Sequence, residues 1–382
     1  MIYDFVVIGA GMAGASAAYE LSTQGSVLLL EAESQAGYHS TGRSAALFTR
    51  NYGTAMVRDI NRLSSGFFEA PPDGFCEHPL LTPRGALAVA PPSEEGLLDP
   101  VLAASTEANT VVEISVADAL EMVPILRADQ VARAAYEESV TDIEVAMMLQ
   151  SYLKGFKSRG GVVETRAPVT GLKRAADVWE ITAGRNMHRG KTLINAAGAW
   201  ADQIGAMAGA EAIGLVAKRR TAIILDAPQG MDVAHLPCVD FATNDAYLKP
   251  EAGKFMASPG DATPVAPQDV QPDEMDVAVL ADWIERHTLI PVRRIAHSWA
   301  GLRSFVADEG PIVGRDEHVP DFIWHAGQGG YGIMMAPALA RAVAAICAGQ
   351  SLPEDFAKCG LTADMLGPKR LGRAKDEGSS RV

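Results

Sequence analysis

The chain opens on an apolar run from Tyr3 to Ile8 that gives way to Gly9, Gly11 and Gly14 and then to small apolar residues from Ala15 to Leu21. An aromatic and β-branched stretch, a glycine bend and a longer run of helix formers predict strand, turn and helix. A second apolar run, Ser26 to Leu30, ends at Glu31 and completes a βαβ unit. Neither strand alternates, which suits a parallel sheet covered on both faces.

Farther along, the pattern changes. Residues 71–100 are rich in proline and glycine and read as loops and short strands of a different subdomain. Ile143, Ala146, Met147, Leu149 and Leu153 recur at helical spacing, which predicts a helix over 141–158 that stops at Gly160 and Gly161. Strands are expected at 162–165, 178–182 and 192–195, and β character continues at 220–225 and 245–248. The polar segment 258–276 carries four prolines and reads as a surface loop before a helix at 277–287. Phe322 to Ala326 predicts a strand feeding Gly327 to Gly332 and a helix from Ile333 to Cys347. The tail beyond Gly367, with Lys369, Arg370, Arg373 and Lys375, is expected to fray.

Length and composition narrow the class. At 382 residues, 48% hydrophobic and 21% charged, the chain is globular with room for two or three domains. A net charge of −14 argues against a phosphate-backbone partner, so no nucleic acid is expected. Cys76, Cys238, Cys347 and Cys359 form no C-x-x-C pair and show no metal-like spacing to the eight histidines. No metal is expected, and a reducing cytoplasm is the simplest location. Asp4 and the lack of Lys or Arg before Arg43 do not fit a secretory leader, and no stretch is long and uncharged enough to span a bilayer.

The glycine bend carries the first chemistry. In G-x-G-x-x-G the first glycine permits the turn, the second lets backbone approach a diphosphate, and the third lets helix and strand pack closely. Glu31 follows Gly9 by 22 positions, near the roughly 20 expected for a carboxylate that accepts ribose hydroxyls. It would repel a 2′-phosphate, which disfavours NADP. FAD is favoured over NAD by the second strand–glycine–helix unit at 326–333, because a helix N-terminus stabilises the negative charge of a reduced flavin. Small and hydroxyl-bearing residues from Tyr38 to Ala46 can line an extended cofactor without clashing.

Seven collinear segments now carry a resemblance: Gly9–Gly14, Tyr38–Ala46, His78–Arg84, Asn195–Trp200, Tyr247–Pro250, Trp299–Phe305 and Gly327–Gly332. Together they resemble the FAD-dependent D-amino acid oxidase and glycine oxidase superfamily over nearly the whole chain, with bacterial D-arginine dehydrogenases as the nearest likeness. The resemblance implies an α/β fold of p-hydroxybenzoate-hydroxylase type with an α+β second domain. A Rossmann-like FAD-binding domain from residues 1–50, 141–210 and 300–382 would adjoin an antiparallel-sheet substrate domain from 51–140 and 211–299. It implies oxidation of a C–N bond by hydride transfer to flavin N5, then hydrolysis of an imine. Oxygen or a quinone-type acceptor would reoxidise the flavin.

Residue by residue, the resemblance puts cofactor contacts at Gly9, Gly11, Ala13, Gly14, Glu31, Ala32, Ser40, Thr41, Gly42, Arg43, Ser44, Ala45 and Ala46. Farther on it adds Val169, Ala197, Gly198, Trp200, Gly329, Gly330, Tyr331, Gly332 and Ile333. Arg303 matches a carboxylate-binding arginine, as a planar guanidinium suits bidentate recognition. Arg220, beside Arg219, matches a second. Tyr52 and Tyr247 match pocket tyrosines, and the Gly330 backbone would accept the substrate amine; none of the histidines is nominated. Leu47, Thr49, Arg50, Ala86, Cys238 and Asp240 match the side-chain pocket. The arginine-specific relatives carry a glutamate where Ala86 stands and a histidine where Leu47 stands. The reading is therefore an oxidase or dehydrogenase of D-amino acids, not strictly D-arginine. The alternative is an enzyme of glycine, N-substituted glycines or other secondary amino acids.

Overall fold

The computed structural model describes residues 1–107, 109–243 and 246–372. Three sheets organise it. The first has a parallel core in which Tyr3–Ile8 lies between Val27–Leu30 and Asn186–Asn195, with Val162–Glu164 and Phe322–Ala326 outside them. Val6, Val7, Leu28, Leu29, Phe322 and Ile323 have no exposed surface, as the unbroken apolar runs require. Helix Met12–Leu21 packs closely on helix Gly332–Cys347, and Ala15, Ala17, Ala18, Ala338 and Ala342 bury without bulk between them. The antiparallel pair Val169–Ala175 and Val178–Ala183 extends the sheet beside the first half of Asn186–Asn195.

The second sheet has eight strands and is almost wholly antiparallel. Ile223, Leu225, Phe255, Leu248, Val239 and Leu87 turn one face onto Leu280, Trp283 and Ile284 of helix Glu274–His287. Strand period 2 sends Arg220, Ala222, Tyr247 and Met256 to the other face, toward the first sheet. Its outermost strand, Ile295–Phe305, runs across the expected boundary at residue 300.

Several expectations are corrected. Thr141–Ile143 is a strand, paired with Leu47–Phe48 and Leu81–Pro83, so the predicted helix over 141–158 starts at Val145. Helix Glu274–His287 begins earlier than predicted because the Asp273 carboxylate caps the Met275 N–H at 3.0 Å. The 258–276 segment is more than a surface loop: its Asp261 side chain is buried and bonds Thr221. Arg370 is not frayed, since it bonds Asp308 at 2.7 Å and the Gly310 carbonyl at 2.9 Å. Arg373, Lys375 and Asp245 lie outside the described residues. Among the described residues no helix is long and apolar enough to cross a membrane.

Candidate active site

A cavity of about 440 Å³ lies at the carboxyl ends of the parallel strands, where Ile8, Leu30, Ala196 and Ala326 form its edge. The three glycines have different reasons to be there. Gly9 has φ +102°, and a Cβ on it would stand 2.5 Å from the Ala196 carbonyl oxygen. A Cβ on Gly14 would stand 1.8 Å from the Gly9 oxygen, so these two let helix and strands meet. At Gly11 the nearest atom to such a Cβ is Thr41 Oγ1 at 3.3 Å; this glycine faces the cavity. The N-termini of helices Met12–Leu21 and Gly332–Cys347 open here, at Gly11 to Ala13 and at Gly332 and Ile333. Glu31, buried, accepts the Ala10 N–H at 2.8 Å and the Glu33 N–H at 2.9 Å, which fixes its carboxylate on the cavity wall.

Of the residues expected around a cofactor, all but Gly14, Gly42, Ala46 and Tyr331 line this cavity. Gly42 instead shapes the preceding turn, donating its N–H to the Gly37 oxygen at 2.8 Å. Ala46 sits at φ +54° beyond the cavity. Arg43 spends its guanidinium on the Ala300 and Val270 carbonyls and on Asp269, tying the 40s loop to the second sheet. Two histidines were missed. His325 is buried on the cavity wall, its Nε2 3.2 Å from the Ala13 oxygen, and burial pulls its pKa down to about 4. His39 bridges Glu33 at 3.0 Å and the Trp200 ring at 4.7 Å. The signal for His325 was its place at the end of a parallel strand just before a glycine bend.

Arg220, Tyr247, Arg303 and Gly330 share the opposite part of the same cavity. Arg303 has no side-chain hydrogen bond or ion pair among the described residues, and a Cβ on Gly330 would lie 3.1 Å from its Nη1. Arg219 reaches Asp276 at 2.8 Å and Asp273 at 3.4 Å, whereas the nearest carboxylate to Arg220 is Asp261 at 3.9 Å. Burial, then the charge of Arg303, lower the pKa of Arg220 from its usual value. A second hollow of about 170 Å³ shares both arginines and adds Tyr52, Lys218, Glu309 and Tyr331. The rings of Tyr52 and Tyr331 meet edge to face at 5.2 Å. Burial, then Tyr52 and Glu309, push the Tyr331 hydroxyl up to about 12.

Leu47, Thr49, Arg50, Ala86, Cys238 and Asp240 line neither hollow. Arg50 is held by Ser65 at 2.9 Å, by Asn109 at 3.2 Å and by an ion pair with Glu69, so the protein itself answers its charge. Thr49 Oγ1 lies 3.4 Å from Glu137. Leu47 pairs with Asp142 in the small sheet. Cys238 pairs with Ala86, and Asp240 stands between Tyr247 and Ala88, which puts these residues on the Tyr247 face. Burial pushes the Cys238 thiol up.

Residues 4–346 match the DAO family model, described as FAD dependent oxidoreductase. Human mitochondrial dimethylglycine dehydrogenase is 27% identical over 214 residues, 54% of this chain and 24% of that protein. The chain thus matches only about a quarter of that relative's length. L-proline dehydrogenase from P. horikoshii superposes with a TM-score of 0.81 at 21% identity, covering 97% of this chain and 98% of that one. Glycine oxidase from Geobacillus kaustophilus gives 0.79 at 20% identity, covering 94% and 98%.

Proposed function

The chain belongs to the family of FAD-dependent oxidoreductases, and from that premise we propose that it oxidises the C–N bond of an amino acid, with D-amino acids as the first substrate class. The cavity fits FAD on this chain's own geometry. Gly11 leaves room for a diphosphate at the helix N-terminus, Glu31 presents a fixed carboxylate to ribose hydroxyls, and the helix at Gly332 brings a positive dipole end. When bound, the flavin supplies a two-electron acceptor for hydrogen leaving the substrate.

The observation that carries the reading is Arg303, an arginine in the cavity with no hydrogen-bond or ion-pair partner among the described residues, beside Gly330 and Arg220. Two guanidiniums facing one space call for an anion, and a carboxylate fits their donor geometry. With the carboxylate so held, the Gly330 carbonyl accepts an amine N–H, and Tyr247 and Tyr52 close the clamp. That arrangement turns the α-hydrogen one way, which is the main contribution positioning makes to rate. The α-carbon gives up hydrogen with two electrons, the amine gives up a proton, and a C=N bond forms. Water then adds and releases a 2-oxo acid and ammonia or an amine.

A second reading keeps the clamp and moves bulk to nitrogen: glycine, N-substituted glycines or other secondary amino acids. The likeness to dimethylglycine dehydrogenase and to L-proline dehydrogenase favours it. Anaerobic flavin bleaching across D- and L-amino acids, glycine, sarcosine, dimethylglycine and proline separates the two. The first reading expects bleaching by D-amino acids with side chains and primary amines, the second by glycine and by secondary or N-methylated amines without bleaching by those D-amino acids. No bleaching by any of them would sink both. Repeating the turnover with oxygen and with a quinone identifies the acceptor.

A further inference from the structure

We propose that Asp240 selects the far end of the substrate, accepting a distal amine or guanidine of an amino acid whose carboxylate sits on Arg303 and Arg220. This rests on the amino acid reading above and narrows its substrate class.

The argument starts from register. Asp240, on strand Cys238–Phe241, stands directly opposite Tyr247 on one side and Ala88 on the other. Residues paired across strands point to the same face, and Tyr247 lines the main cavity, so Asp240 shares the face that borders that cavity. It is exposed while Cys238, Val239 and Phe241 are buried. Yet protein surrounds it densely enough that burial pushes its pKa up to about 6. A carboxyl both accessible and closely surrounded is open to a ligand on the face that Tyr247 presents to the main cavity. Alanine at 86 and 88 sets no bulk beside it on the neighbouring strand.

Among the described residues nothing answers this carboxylate. Asp240 has no side-chain hydrogen bond or ion pair among the described residues. Lys249, on the same face, is spent on Asp142 at 2.9 Å and Glu251 at 3.2 Å, and Arg84 is spent on the same Asp142. Glu137, opposite Ala86, adds another acid. A carboxylate left unpaired and closely surrounded by protein is costly, and a ligand cation relieves that cost.

The spacing suits one molecule. By register Asp240 aligns through Tyr247 and Ser258 with Ala222, two residues beyond Arg220. Three strand spacings and two residues of rise put the two backbones about 16 Å apart, and the two side chains span roughly half of that. The remainder matches an amino acid with a chain of about four to six atoms to its terminal nitrogen.

Two acids that cannot be oxidised isolate the far end: 6-aminohexanoate and hexanoate, titrated into the holoenzyme and read by perturbation of the flavin spectrum and by competition. The parent is expected to bind 6-aminohexanoate at least tenfold more tightly than hexanoate. Asp240→Asn should erase that ratio with hexanoate binding changed less than threefold, and Asp240→Glu should keep most of it. Flavin content and melting temperature check that each variant folds. Equal binding of the two acids by the parent, or a ratio unchanged in Asp240→Asn, overturns the role of Asp240 while leaving the amino acid reading standing. If neither acid binds and no amino acid bleaches the flavin, both fail together.

Discussion

Arg219 and Arg220 are neighbours in one strand with opposite fates: Arg219 is held by Asp276 at 2.8 Å, while Arg220 enters the cavity with no carboxylate of the described residues nearer than 3.9 Å. Alternation along a strand is the cause, since it sends consecutive side chains to opposite faces.

The pair makes a paired prediction. Arg220→Met should lower kcat/KM for a carboxylate-bearing substrate roughly 10- to 150-fold, the equivalent of about 1.5–3 kcal/mol for hydrogen bonds to a charged group. Arg219→Met should leave kcat/KM within about threefold and lower the melting temperature, because it strips Asp273 and Asp276 of their cation. Steady-state kinetics beside thermal melts distinguish the two; equal kinetic losses would refute the assignment.

The glycines predict a split between folding and cofactor retention. Gly14→Ala places a methyl on the Gly9 oxygen and should fail to accumulate as folded protein or melt several degrees lower. Gly11→Ala meets only the Thr41 hydroxyl, so it should fold and yet release flavin, its methyl obstructing the diphosphate approach. The ratio of flavin to protein absorbance, measured beside the melting temperature, reports both.

Glu31→Gln leaves one of two backbone N–H groups facing an amide nitrogen instead of an oxygen. An unsatisfied buried donor costs about 1–3 kcal/mol. Flavin affinity, measured by titrating apoprotein and following quenching of flavin fluorescence, should weaken at least fivefold. Unchanged affinity would remove Glu31 from the ribose site.

His325 sets a pH dependence in the apoprotein. Burial lowers its pKa from 6.5 to about 4, so between those values the unfolded chain binds a proton that the folded chain refuses. The unfolded state holds more protons there, and stability therefore rises with pH. Above pH 6.5 both states are neutral and the effect vanishes. Relative to pH 7.5, His325 should cost about 2–3 kcal/mol at pH 4.5. Denaturant unfolding of the parent and of His325→Gln at both pH values should differ by that amount, with the variant less acid-sensitive.

The sequence alone determined the βαβ unit, the strand at Phe322–Ala326 and the helix after it, because apolar runs, glycine bends and strand or helix periods act over a few residues. The same locality made most of the cofactor wall readable: the glycines, Glu31 and the 40s loop belong to one continuous unit whose chemistry is its spacing. Tertiary structure alone decided which arginine of 219 and 220 faces the cavity, that Glu69 consumes Arg50, that His325 is a neutral wall residue, and that Asp240 stands beside Tyr247. Each of these depends on a carboxylate, carbonyl or strand register supplied from elsewhere in the chain. Charge and burial are sums over neighbours in space, and sequence distance does not carry them.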